Sequence, residues 1–160
     1  MSKTLIIYYS LEGNIDFVAH ALAKELNADT FRLETVKAYP KKGLFKYFHG
    51  GKDVVSNACP ELKAIPNNLQ SYDQIVIGTP VWASRAAAPI NTLLTQLDFS
   101  GKRVSAFASS ASGSHGKTFE SIAAKLKNAT ISHTASFKNP AKDTETALKT
   151  VKTFAQTLAQ

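Results

Sequence analysis

The chain has 160 residues, 44% of them apolar and 19% charged, with a formal charge of +7. That length and balance fit one globular domain with a real core, and they exclude intrinsic disorder; no apolar run reaches the roughly eighteen residues of a membrane span. The single cysteine, Cys59, excludes an internal disulfide, and no basic-then-apolar leader precedes "KTLIIYYS", so a reducing, cytoplasmic setting is expected.

"TLIIYYS" (4–10) is an apolar, β-branched and aromatic run, which predicts a strand buried on both faces. Gly13 and Asn14 break it, and Phe17, Val18, Ala21, Leu22 and Leu26 follow at helical spacing. "DTFRLE" (29–34) alternates as a second strand. From Val36 onward Pro, Gly and Lys mix with aromatics, which predicts a long excursion packing Leu44, Phe45, Tyr47 and Phe48 against the body. "YDQIVIGTP" (72–80) predicts a third strand ending at Gly78, and "APINTLLTQL" (88–97) a helix that tolerates Pro89 in its first turn. "RVSAFASS" (103–110) predicts a fourth strand, "GKTFESIAAKLK" (116–127) a helix and "TISHTASF" (130–137) a fifth strand. "DTETALKTVKTFAQTLA" (143–159) predicts a closing helix with Asp143 as its N-cap. Strands alternating with helices imply an α/β chain with a parallel sheet covered on both faces, and ligands there sit beyond the carboxyl ends of the strands.

Three loops fall at those ends. "SLEGNI" (10–15) is a tight turn into a helix, where free amides and the helix dipole favour a phosphate, with Ser10 and Asn14 as added donors; a plain turn capped by Asn14 is the competing reading. "GTPVWASR" places the only tryptophan, Trp82, just past a strand end, able to stack on a planar ligand or to lid the local core. "ASSASGSHGKT" resembles a triphosphate loop, but G-x-x-x-x-G-K-[ST] needs a glycine where Ala111 stands, and the following strand has no Asp for magnesium. Small residues from Ser109 to Ser114 suit instead the close approach of a flat ligand edge. A phosphate nest, an aromatic wall and a small-residue cradle together fit a flat heterocycle carrying one phosphate, the shape of flavin mononucleotide (FMN).

The other signals are bland. The basic residues Lys37, Lys41, Lys42, Lys46 and Lys52 gather in the excursion, yet no nucleic-acid-binding signature accompanies them, so neither nucleic acid nor membrane is an expected partner. Cys59 precedes Pro60 with no histidine beside it. His20 reads as a helix-surface residue and His133 as a strand residue, while His49 and His115 fall near the expected mouth. No pair has metal-ligand spacing, and no catalytic acid or base stands out.

"IIYYSLEGN" followed by a helix, "IVIGTPVW" and "FASSASGSHGKT" together resemble the flavodoxin family over essentially the whole chain, in its short-chain branch with the "FKYFHGGK…PEL" excursion. The resemblance implies a three-layer, doubly wound, five-stranded parallel sheet of order 2-1-3-4-5, non-covalent FMN, and one-electron transfer between redox partners by a monomer. Carried over by position, Ser10, Leu11, Glu12, Gly13, Asn14 and Ile15 would hold the phosphate. Thr79, Pro80, Val81, Trp82 and Ala83 would flank the isoalloxazine, and Ser109, Ser110, Ala111, Ser112 and Gly113 would meet its polar edge. Ile15 stands where the family has a threonine, which removes a hydroxyl donor, and Ala111 and Ser112 stand where it has glycines. The family is typically acidic and this chain is basic, so acidic redox partners are expected here. An NAD(P)H-dependent quinone or flavin reductase of the same fold, and a module that has lost its flavin, are the alternatives.

Overall fold

The computed structural model describes residues 2–41, 51–53 and 55–160. The expected packing of Leu44, Phe45, Tyr47 and Phe48 lies outside the described residues, as does His49. The elements run β1 (Thr4–Tyr8), α1 (Asn14–Leu26), β2 (Asp29–Arg32), β3 (Gln74–Trp82), β4 (Arg85–Ala86), α2 (Ala88–Gln96), β5 (Arg103–Ser110), α3 (Thr118–Ala123), β6 (Ile131–Lys138) and α4 (Thr144–Leu158).

Five strands pair in parallel in the order β2-β1-β3-β5-β6, which is the expected 2-1-3-4-5 arrangement. The two-residue β4 is an additional, antiparallel strand that pairs with the end of β3. Period-2 alternation sends side chains to both faces of the sheet. Leu5, Ile7, Ile75, Ile77, Val104 and Ala106 meet Ile90, Leu93 and Leu94 of α2 and Ile122 of α3 on one side. Ile6, Tyr8, Val76 and Phe107 meet Val18 and Leu22 of α1 and Val151 and Phe154 of α4 on the other. All five residues of β1 are buried, as its unbroken apolar run requires.

Local chemistry sets the element ends. Asn27 closes α1 in the left-handed region (φ 49°), and the Ala28 amide reaches back to the Ala23 carbonyl at 2.9 Å. Asp143 caps α4 by accepting the Thr146 amide at 3.2 Å, as expected. β1 and β2 end two residues short of the expected 10 and 34, and two boundaries differ more widely from the sequence reading. β3 does not stop at Gly78; it continues through Thr79, Pro80 and Val81 to Trp82, with Pro80 opposite Ser109. The Gly and Pro that read as the strand's end and the start of a loop are instead absorbed in extended backbone. α3 covers only Thr118–Ala123, because the chain then tightens into i→i−3 bonds at Lys125 and Leu126.

Glycine is required at Gly78 by space. A β-carbon there would stand 2.4 Å from Cζ of Phe107, its neighbour in register on β5. Phe107 is fully buried and packs edge-on to Phe137, with ring centres 6.1 Å apart, so it has no room to retreat.

Candidate cofactor site

The sheet order reverses between β1 and β3, so the loops leaving their carboxyl ends diverge and leave a crevice. A cavity of about 390 Å³ occupies it, within the usual range for a small-molecule site. The three loops picked out in the sequence all reach it: Ser10, Leu11, Glu12, Asn14 and Ile15 from the first, Pro80, Val81, Trp82 and Ala83 from the second, and Ser109, Ser110 and Ala111 from the third. Thr79 and the residues Gly13, Ser112 and Gly113 do not line it.

The first loop is shaped by its own serine. Ser10 Oγ accepts the amides of Gly13 (3.2 Å) and Asp16 (3.1 Å), which winds the loop into the first turn of α1. Gly13 takes φ 98°, which a side-chain-bearing residue rarely adopts, so its role is conformational rather than as a wall of the cavity. Among the described residues the amides of Leu11, Asn14 and Ile15 have no acceptor, and they sit at the positive end of a 13-residue helix. Asn14 does not cap the helix; its side-chain oxygen accepts the Ala141 amide at 3.1 Å and ties this loop to the one after β6. Arg32, at the end of β2, donates to the Ser10 carbonyl at 3.2 Å and lies 3.4 Å from the Asp16 carboxylate. It holds that carbonyl and puts a cation behind the loop. Tyr8 donates to the same carboxylate at 2.7 Å, and burial together with this bond raises its phenol above the ordinary value.

The second loop is a hairpin rather than an open loop. Val81 pairs with Ala86 and Trp82 with Arg85, leaving a two-residue turn. Both turn residues, Ala83 (φ 47°) and Ser84 (φ 62°), are left-handed, as the tight hairpin turn requires, although neither is glycine or asparagine. Trp82 therefore ends β3 inside paired backbone, instead of lying beyond the strand. Thr79 is fully buried, and its hydroxyl donates to the Pro80 carbonyl and accepts the Ala87 amide, both at 2.9 Å. It braces the hairpin from below rather than facing the cavity. Trp82 meets Tyr39 (centroids 5.0 Å) and Tyr9 (5.6 Å) edge-on, and Tyr39 donates to Asp53 at 2.5 Å. Burial pushes the Tyr9 phenol up to about 12.

The third loop is anchored on that hairpin. The Lys117 amide donates to the Ser84 carbonyl at 2.7 Å, so the GKT segment packs on the turn and does not line the cavity. Ala111 and Ser112 are outside the positive-φ region; the left-handed residue of the cradle is Gly113, at φ 84°. The β-carbons at 111 and 112 thus carry no backbone strain.

Two lining residues were missed. Asn139 (φ 41°) donates through its amide to the Ser110 carbonyl and through Nδ2 to the Ala111 carbonyl, each at 3.1 Å, and so fixes the third loop from a fourth. Its signal was an Asn-Pro at the end of β6, a strand whose carboxyl end reaches the same edge. Gly51 comes from the excursion, where no local pattern separates a lining residue from a linker.

Comparison with known proteins agrees with this architecture. The flavodoxin family model matches residues 3–153. A flavoprotein in complex with FMN from Lactobacillus acidophilus superposes with a TM-score of 0.74 at 23% identity, covering 91% of this chain and 98% of that one. A chain from Bacteroides uniformis gives 0.75 at 25% identity over 97% and 98%. Oxidised flavodoxin 2 from Bacillus cereus gives 0.60 at 17% over 99% and 98%. With a family match over nearly its whole length and a sheet of this order, the chain belongs to the flavodoxin family.

Proposed function

We propose that this chain binds FMN non-covalently in the crevice between β1 and β3 and serves as an electron carrier. The observation that carries the reading is the loop 10–15, which lines a cofactor-sized cavity and whose amides at Leu11, Asn14 and Ile15 lack acceptors among the described residues at the head of α1. A phosphate dianion satisfies those amides and the helix dipole together. Ser10, whose oxygen already accepts two amides, keeps its hydroxyl proton to donate. Arg32 stabilises the anion from behind. Trp82 supplies an aromatic wall, and Ser109–Ala111 offers backbone at the edge of the flat ring system.

FMN supplies the electron transfer itself, and the protein's part is to bind, orient and bias it. No acid–base residue is needed, which agrees with a cavity in which, among the described residues, Glu12 is the only titratable lining group. The FMN complex of the Lactobacillus acidophilus relative supports the choice of cofactor. The carrier reading is tested by reconstituting the protein with FMN and supplying NADPH and a quinone. The expected result is no turnover until a separate reductase is added. Steady turnover with NADPH alone would contradict the carrier reading and favour a self-sufficient reductase.

A further inference from the structure

Beyond the cavity, the charge around its mouth is arranged. Five exposed cations sit next to cavity-lining residues or to the loops that hold them: Lys52, Arg85, Lys117, Lys138 and Lys142. Lys52 follows Gly51, and Arg85 pairs with Trp82 across the hairpin. The Lys117 amide is bonded to the hairpin carbonyl at Ser84. Lys138 pairs with Ser110 and packs against Gly113, where an added β-carbon would stand 3.1 Å from its own Cβ. Lys142 follows Ala141, whose amide is held by Asn14.

Among the described residues none of these five side chains makes an ion pair or hydrogen bond. At the opposite end of the sheet most of the cations have partners: Lys3 pairs with Asp29 at 3.5 Å, Lys102 donates to the Tyr72 carbonyl at 2.7 Å, and Lys127 donates to the Thr95 carbonyl at 3.0 Å, with Lys24 the exception. Three acids near the mouth are held by partners, Asp16 by Arg32, Asp53 by Tyr39 and Asp143 by the Thr146 amide, while Glu12 lines the cavity itself and Glu120, beside Lys117, stays exposed. Five exposed cations without a carboxylate partner among the described residues therefore gather where a bound ring would come nearest to solvent.

We infer that this mouth is the docking face for a redox partner protein whose own face is acidic. The inference rests on the FMN reading and adds to it the chemistry of the partner. Five cations spread over four separate loops span more surface than one small anion touches, whereas a protein face can meet them together. Such a ring raises the encounter rate and orients the partner's redox centre toward the ring, more than it adds affinity. In the encounter the reduced flavin would lose one electron as the partner's centre gains it.

The test uses the FMN-loaded protein, photoreduced without oxygen and then reoxidised by hexacyanoferrate(III), each ion taking one electron. The probe stands in for an acidic face, and hexaammineruthenium(III) is its cationic counterpart. We expect the rate with hexacyanoferrate to fall at least about tenfold as salt is raised from low to high, and that with hexaammineruthenium to rise. In Arg85→Glu/Lys138→Glu the hexacyanoferrate slope should flatten by half or more. In Lys24→Glu/Lys127→Glu, which removes the same charge at the far end, it should be unchanged. Equal slopes in the two double variants would reduce the effect to net charge and overturn the docking face while leaving FMN binding intact. A protein that takes up no FMN would overturn both readings, and flavin absorbance in the same sample tells the two failures apart.

Discussion

Ile15 shows how one residue serves two layers. The residue is 1% exposed and packs with Ile6, Tyr8 and Val18, yet it also borders the cavity at the phosphate loop. Replacing it by threonine trades buried methyl area for a hydroxyl at the phosphate loop. Ile15→Thr should destabilise the apoprotein by about 1–3 kcal/mol in urea denaturation. The same change should tighten FMN binding by roughly tenfold through one added charge-assisted bond, and leave riboflavin binding unmoved. Tyr9 carries a second residue-scale prediction. It is 5% exposed, and desolvation raises its phenol from the ordinary 10 to about 12. The folded state then retains a proton that the unfolded state releases, so stability should fall as pH rises from 10 towards 12, at up to about 1.4 kcal/mol per unit for this group. Tyr8 and Tyr39 are raised as well and steepen the fall. Urea midpoints between pH 9 and 12 should drop less in Tyr9→Phe than in the parent chain; identical curves would remove Tyr9 from the account.

Elements carry the next predictions. The β3–β4 turn holds Ala83 and Ser84 at positive φ, a cost of about 1 kcal/mol or more for each residue with a β-carbon. Ser84→Gly should raise stability by about 0.5–1 kcal/mol, read from the urea midpoint, since Ser84 contributes its carbonyl rather than its side chain to the Lys117 anchor. Gly78→Ala should destabilise by about 1–3 kcal/mol, because its β-carbon enters the space of the Phe107 ring. The hairpin also marks where the sequence was hardest to read. β1, β5 and α4 announce themselves by a buried run, a bounded apolar strand and an Asp cap. In β3 the Gly and Pro at 78 and 80 read as the start of a loop, while the backbone stays extended and the turn falls at Ala83–Ser84, residues that disfavour the left-handed conformation it requires. What holds that turn is distant: the Thr79 hydroxyl on Ala87, and Lys117 on Ser84. Local pattern cannot register such partners.

At the scale of the whole molecule, strand order makes the site. Loops separated by scores of residues meet because β1, β3 and β5 are neighbours, and this much followed from alternating strands and helices alone. Most of the lining was legible on that basis. Asn139 was not, since it acts by holding the Ser110 and Ala111 carbonyls, a contact visible only once β6 lies beside β5. The central claim is that the crevice is built around a phosphate-bearing flavin, with unpartnered amides at the head of α1 as its anchor. The most direct measurement is a paired titration of the apoprotein with FMN and riboflavin, followed by flavin fluorescence. The account predicts quenching of FMN at one equivalent with micromolar or tighter affinity, and riboflavin binding at least about tenfold weaker. Equal affinity for the two flavins, or no quenching by either, would contradict it.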